Sequence, residues 1–183
     1  QMVKDLRERT GAGVMDAKRA LEASDGDMKK AAAIIEEQGL KRAEKKEGRG
    51  TSEGLVWSYI HGGTPGQTGG RVGALVEINC ETDFVARTDD FRALCRDVAM
   101  QVAAMDPKYI TAADIPQAEL REQAGNAEKY AERVALLSQP FIRDASKTIS
   151  DLVRERIGKL GENIVVRRFA RFELGAAPDI AEE

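Results

Sequence analysis

The stretch VGALVEINC, residues 72–80, decides how the chain should fold. Its even-numbered side chains are all apolar or small, and a period of two is typical of a strand with one face in a core. The preceding stretch LVWSYI, residues 55–60, has large apolar side chains at its odd-numbered positions. Because a glycine-rich segment at 62–70 joins the two stretches, we expect them to form a β-hairpin.

The segments after residue 80 predict further helices and one more strand. Apolar residues at helical spacing indicate a long helix that begins after Thr88 and a last helix that Gly161 ends. Residues 112–138 have a helical composition without a clear period and predict a helical crossover on the surface, whereas residues 164–173 return to a strand pattern. The predicted fold class is therefore α+β, with helices packed on an antiparallel sheet.

The N-terminal part predicts a small domain of three helices. Glycines at 11 and 13 break the first helical run, Asp27 can cap the third helix, and Gly39 should end it. Residues 40–52 carry five basic side chains without an aromatic residue, so a solvated helical extension that decays into a linker is favoured over an RNA-binding arm. The predicted divisions are a three-helix head at 1–39, a basic linker at 40–52, an α+β body at 53–175 and a disordered tail at 176–183.

Composition and charge exclude several classes of protein. The 183 residues include 28 basic and 31 acidic side chains, and the net charge of −3 disfavours binding to a nucleic-acid backbone. The longest apolar runs, of about six residues, are far shorter than the roughly 20 that a membrane span needs. Two cysteines are too few for a disulfide framework and indicate a reducing compartment. We expect a cytoplasmic protein without a nucleic-acid or membrane partner.

No motif predicts an enzyme, a cofactor or a metal site. The glycine-rich loop at 62–70 lacks the lysine and the following helix that a phosphate-binding loop needs. Residues 11–13 lack the preceding strand of a dinucleotide-binding fold. His61, the only histidine, should have a structural role at a strand end, and Glu77 and Glu81, expected near an exposed sheet edge, have no catalytic partner. We therefore predict a protein that is not an enzyme.

The segment NCETDFVAR, residues 79–87, is the candidate binding site. It connects a strand to a helix, where Phe84 and Val85 have no face of a regular element on which to be buried. Two interpretations stay open: these side chains fill the core, or an acid beside an aromatic at a rigid turn forms an interface anchor. On so small a helical head, Val14 and Met15 would also be conspicuous if exposed.

Three segments of the chain together resemble the elongation factor Ts family. They are LRERTGAGVMDAKRAL at 6–21, NCETDFVAR at 79–87 and GENIVVRRF at 161–169, in the family's order and spread over nearly the whole chain. The resemblance implies a guanine-nucleotide exchange factor that binds GDP-bound and nucleotide-free elongation factor Tu during translation elongation. It also implies that the helical head is similar to a ubiquitin-associated domain.

The resemblance also implies which residues contact that partner. In the family the head packs on the nucleotide domain of the partner, and the residues matching Asp83 and Phe84 are pushed toward the partner's magnesium site. This chain departs from the family by having Val14 where Met is common. The implied contact residues are Leu6, Val14, Met15, Thr82, Asp83, Phe84 and Val85.

The chain resembles the short form of the family, in which a homodimer supplies a second body. The partly apolar final strand, with Val166, Phe169 and Phe172, suits self-association, so we expect a homodimer.

Two alternative functions stay open. One is a non-enzymatic adaptor that uses the three-helix head for protein recognition, because folds of this kind host many roles. The other is an RNA-binding translation accessory that uses Arg167, Arg168 and Arg171. A nucleotide-release measurement would separate both from an exchange factor.

Overall fold

The computed structural model describes residues 1–63, 69–123 and 125–176. Residues 64–68 of the glycine-rich loop, and the predicted tail from residue 177 onward, lie outside the described residues. The predicted α+β fold class is confirmed. Two 3₁₀ turns flank a pair of short helices. The elements are α1 (Met2–Thr10), α2 (Val14–Ala23), α3 (Met28–Glu44), β1 (Glu53–His61), β2 (Val72–Cys80), α4 (Asp83–Ala86), α5 (Asp89–Met105), α6 (Gln117–Glu122), α7 (Ala127–Val134), β3 (Pro140–Phe141), β4 (Asp144–Thr148), α8 (Ile149–Leu160) and β5 (Ile164–Glu173).

A three-stranded antiparallel sheet in the order β1-β2-β5 forms the base of the body. The predicted hairpin is confirmed, with Glu53 opposite Cys80 and His61 opposite Val72. Every second side chain of β2 from Ala74 to Cys80 is buried in the main core, as the period of two predicts. The strand predicted at 164–173 is β5, which pairs with the other edge of β2.

Two long helices close the main core over this sheet. α5 packs on β1 and β2, and α8 packs on α5 and β5. Thr88 caps α5 as predicted, because its hydroxyl accepts the N–H of Phe91 at 3.2 Å. Gly161 ends α8 in the left-handed conformation, at φ 75°, which glycine adopts without steric cost.

The three N-terminal helices enclose a second, smaller core. Asp27 caps α3 as predicted by accepting the N–H groups of Lys29 and Lys30. The side chains that fill the small core are Leu6, Ala17, Ala20, Leu21, Ala31 and Ile35.

Among the described residues, none of the helices combines the length and the hydropathy that crossing a bilayer requires.

The predicted end of the third helix at Gly39 is wrong. α3 continues to Glu44, and Ala43 is part of the core of the body. Gly39 lies where α3 crosses α8, and a Cβ added to Gly158 of α8 would lie 2.6 Å from the carbonyl oxygen of Gly39. Glycine is therefore needed at position 158 for the close approach of the two backbones. The predicted boundary at residue 40 therefore falls inside a helix that connects the head to the body.

The region after α5 contains a hairpin that the composition did not predict. The short helices α6 and α7 lie in the predicted crossover, but β3 and β4 follow them. The side chain of Gln101 fixes this hairpin, because its Nε2 donates to the carbonyl of Pro140 and its Oε1 accepts the N–H of Ile142. A buried glutamine on α5, distant in sequence, thus determines the local structure.

Candidate protein-binding site

Phe84 has the largest exposed fraction, 79%, among the large apolar side chains that the structure describes. It lies on α4, a single helical turn between β2 and α5. The next two residues, Val85 and Ala86, are buried in the main core. α4 is therefore anchored by its second half and presents the Phe84 ring to solvent, which excludes Phe84 as a core residue of its own chain.

A carboxylate from a distant segment holds the start of α4. Thr82 caps this turn, and its hydroxyl donates to Oε1 of Glu162 at 2.6 Å. Oε2 of Glu162 accepts the backbone N–H groups of Glu81 and Thr82 at 3.1 and 3.0 Å. Three donors from two consecutive residues thus converge on one side chain that follows α8.

The same two segments exchange a second set of bonds. The carboxylate of Glu81 accepts the N–H of Asn163 at 2.8 Å and pairs with Arg49 at 3.3 Å. The N–H of Asn163, followed by the charge of Arg49, lowers the pKa of Glu81. Because the folded-state pKa is lowered, this contact stabilises the fold above the usual carboxylate pKa and is lost as the pH falls. We call Glu81, Thr82, Glu162 and Asn163 the carboxylate clamp.

The predicted position of Glu77 and Glu81 at an exposed sheet edge is wrong, because β2 is the central strand. Glu77 accepts from Nε of Arg168 at 2.6 Å across the outer face of the sheet. Glu81 belongs to the carboxylate clamp. Each of these carboxylates thus has its own cationic partner, and they do not form an acid–base pair.

Asp83, the residue before Phe84, is only half-covered. Its carboxylate pairs with Arg87 one turn later at 2.7 Å, and both side chains are substantially exposed. An exposed pair of this kind contributes little to stability. Asp83 can therefore exchange Arg87 for another cationic or polar partner at low cost.

The head presents a second exposed apolar surface. Val14 and Met15, in the first turn of α2, are 52% and 60% exposed. Leu6, by contrast, has no exposed area and lies in the small core. The expectation that Leu6 contacts a partner directly does not fit this structure, because a three-helix domain needs its few large apolar side chains for its own core. Val85 is buried for the corresponding reason in the body.

Lys159 connects the head to the start of α5. Its aliphatic chain packs against Gly11, in the turn between α1 and α2. Its Nζ donates to Asp90, in the first turn of α5, at 2.7 Å. We call the exposed side chains of Val14 and Met15 the head surface. Because α5 directly follows α4, this contact and the crossing of α3 with α8 fix the position of the head surface relative to Phe84.

The outer face of the sheet carries a third group of exposed apolar side chains. Of the residues expected to mediate self-association, Val166 is buried and Phe169 packs against the main core, so that part of the expectation is wrong. Phe172 is 75% exposed and lies opposite Gly73. The exposed apolar residues of β1, β2 and β5 on this face are Val56, Ile60, Leu75 and Phe172.

His61, Cys80 and Cys95 have the side-chain types that most often serve in catalysis, but their contacts in this fold indicate structural roles. Nδ1 of His61 and the hydroxyl of Tyr59 are 3.1 Å apart, and the two rings stack. Burial raises the pKa of the thiols of Cys80 and Cys95 to about 11 and about 12, so both are protonated at neutral pH and poor nucleophiles. Within the described ranges, no three or more His, Cys, Asp or Glu side chains are grouped so that they could hold a metal ion.

Fold and site together define an α+β protein with a small helical domain and a clamped, exposed aromatic suited to contact with another protein. A family model described as elongation factor TS matches residues 10–124. The elongation factor Ts of Carboxydothermus hydrogenoformans is 52% identical over 96% of this chain and 88% of the relative. Those of Heliobacterium modesticaldum (50% identity; 95% and 88% covered) and Moorella thermoacetica (47%; 99% and 97%) are similarly related. The chain belongs to the elongation factor Ts family of translation elongation factors.

Sequence reasoning missed Glu162 and Asn163 as parts of the site. They lie about 80 positions from the segment that they hold, and no local period connects the two segments. The sequence indicated these two residues only by placing them in GENIVVRRF, one of the three segments that resemble the family. That resemblance assigned neither of them a role. Long-range side-chain to backbone bonds of this kind become visible only in the folded chain.

Proposed function

We propose that this chain is a guanine-nucleotide exchange factor that binds elongation factor Tu and promotes release of GDP. The observation that carries the proposal is the exposure of Phe84 on a turn that Val85 and Ala86 anchor in the main core. Membership of the elongation factor Ts family supports elongation factor Tu as the partner of this surface. In this role the chain makes and breaks no covalent bond, so we propose that it is not an enzyme in the usual sense. Because it acts on a translation factor, we also propose that it is located in the cytoplasm.

The proposed mechanism uses the strict coordination geometry of magnesium. In GTPases of the P-loop class, Mg²⁺ bridges the nucleotide phosphates to protein ligands and requires near-octahedral geometry. Phe84, wedged between partner side chains with Asp83 beside it, displaces those ligands slightly and weakens nucleotide binding. Thr82 and Val85 hold the turn in place, and Leu6 supports the head surface from inside.

The energy scale requires a contribution from the head. A thousandfold faster release needs a barrier lower by about 4 kcal/mol. Burial of one phenylalanine side chain yields about 1.5 to 3 kcal/mol. Val14 and Met15 therefore contribute as a second contact, whose binding energy raises the population of the complex in which Phe84 acts at a given factor concentration. Reciprocity also follows: if the factor weakens GDP binding, GDP weakens factor binding by the same ratio, so the arrival of a new nucleotide releases the factor.

Nucleotide release tests the proposal directly. Elongation factor Tu loaded with fluorescent GDP is mixed with excess unlabelled GDP and increasing amounts of this chain. We expect a release rate that rises with the concentration of the chain and saturates. An adaptor would bind without changing the rate of GDP release.

The RNA-binding alternative has less support, because Arg168 and Arg171 are paired with acidic side chains. The release assay separates it from an exchange factor as well. An unchanged rate would contradict the proposal.

Met15→Ala should raise the half-saturating concentration by about tenfold and leave the maximal rate of release within twofold. Its side chain contributes binding energy of about 1 to 2 kcal/mol at the head contact, which is remote from the magnesium site. Titration of the release rate against factor concentration separates the two quantities. Met105→Ala, at the far end of α5 and also exposed, is the matched control. A lower maximal rate with unchanged half-saturation would contradict this division of roles.

We also propose that the chain forms a homodimer through the outer face of the sheet. Val56, Ile60, Leu75 and Phe172 form an apolar surface there, which a second copy would cover. Light scattering at micromolar concentration should give twice the mass of one chain, and Leu75→Glu should reduce it to one. Ile142→Glu, exposed between β3 and β4 and outside this sheet, is the control. A monomeric wild-type chain would contradict the proposal.

A further inference from the structure

The one-turn helix α4 cannot fix its own direction. A helix of four residues has too few internal hydrogen bonds to be stable alone, so tertiary contacts must orient it. Burial of Val85 and Ala86 fixes how deep the turn sits in the body. Burial of these two side chains does not by itself set the orientation of the start of the turn, because Glu81 and Thr82 lie outside the main core.

Glu162 supplies the missing constraint at the start of the turn. Its two carboxylate oxygens accept three bonds, from the amides of Glu81 and Thr82 and from the Thr82 hydroxyl. Hydrogen bonds to an ionised carboxylate are shorter and stronger than neutral ones. Since the bonds converge from two adjacent residues, they fix the orientation of the backbone as well as its position.

The support of Glu162 is itself rigid. The residue follows Gly161, which ends α8, and precedes the buried residues Asn163 and Ile164 at the start of β5. The N–H of Asn163 returns a bond to Glu81. The carboxylate clamp therefore connects the end of α8 to the start of α4 by bonds in both directions.

We infer that Glu162 is a positioning residue for nucleotide exchange, which holds α4 so that Phe84 projects in a single direction. The inference rests on the proposed function, because it assigns to Glu162 an effect on exchange that passes through Phe84. The three bonds of Glu162 go to the 81–82 segment and not to the core. Its loss should therefore reduce exchange more than it reduces the stability of the body.

A double-mutant cycle tests this route. Glu162→Ala should lower the maximal rate of GDP release about tenfold, since a misplacement of about 1 Å is costly for a group that must fit a partner's site. In a Phe84→Ala background the same substitution should lower the rate less than twofold. Equal losses in both backgrounds, or no loss in either, would overturn the inference. Glu162→Gln, which retains one acceptor oxygen, should show a smaller loss with the same dependence on Phe84 and serves if Glu162→Ala does not fold.

Glu119→Ala is the matched control, because Glu119 accepts two tyrosine hydroxyl groups in the separate cluster of α6 and α7. It should leave exchange unchanged. Amide hydrogen exchange of the free chain provides a readout without the partner: Glu162→Ala should accelerate exchange at Thr82 and Val85 at least tenfold, and unchanged protection there would overturn the inference. If the wild-type chain does not stimulate release at all, the proposed function fails while this measurement still tests the clamp.

Discussion

Phe84→Ala should lower the maximal rate of GDP release from elongation factor Tu by about 30-fold, the equivalent of about 2 kcal/mol for the loss of one buried aromatic contact. The ring is exposed in the free chain, so this contact exists only in the complex. Removal of an exposed side chain should change the free energy of unfolding by less than about 0.5 kcal/mol. The release assay therefore measures the loss of function. Thermal melts followed by circular dichroism verify that the fold is retained.

Met105→Ala is the control for this substitution. Met105 is also an exposed large apolar side chain, but it lies at the end of α5, whereas α4 precedes the start of α5. It should leave the maximal rate within twofold. Full exchange activity in Phe84→Ala would remove the wedge mechanism, although membership of the family would be unaffected.

The elements with a strong period were predictable, and those held by distant contacts were not. The alternation in residues 72–80 predicted β2 and its buried face, because a side-chain period of two leaves one face for the core. Gly39 has the low helix propensity that suggests an end, but packing against Gly158 overrides propensity. The hairpin of β3 and β4 depends on the buried Gln101, which no local pattern connects to it.

For the candidate site, the sequence predicted the segment but not the exposure of each residue. Phe84 and Val85 are adjacent and both apolar, yet one is exposed and the other buried. The outcome depends on the direction of a single helical turn, which the carboxylate clamp fixes from 80 residues away. Leu6 and Val14 show the same limit in the head, since periodicity identifies an apolar face without saying how far the core extends.

The spacing between the two exposed surfaces leads to a second large effect. Gly158→Ala should raise the half-saturating concentration in the release assay about tenfold, as expected when two linked contacts no longer match the span of their partner. A Cβ at this position would lie 2.6 Å from the carbonyl oxygen and 2.8 Å from the carbonyl carbon of Gly39, both backbone atoms. α3 and α8 must then separate, and the head moves relative to Phe84.

Gly39→Ala at the same crossing provides the control. A Cβ there would meet the Cα of Gly158 at 3.9 Å, an ordinary contact, so the helices need not move. This variant should exchange normally, and alanine in a helix interior should stabilise the fold by about 0.5 to 1 kcal/mol. Gly158→Ala should instead lower the free energy of unfolding, measured in urea, by about 1 to 3 kcal/mol through overpacking. If both variants bind and unfold alike, the crossing does not set the distance between the head surface and Phe84, and the two contacts act independently.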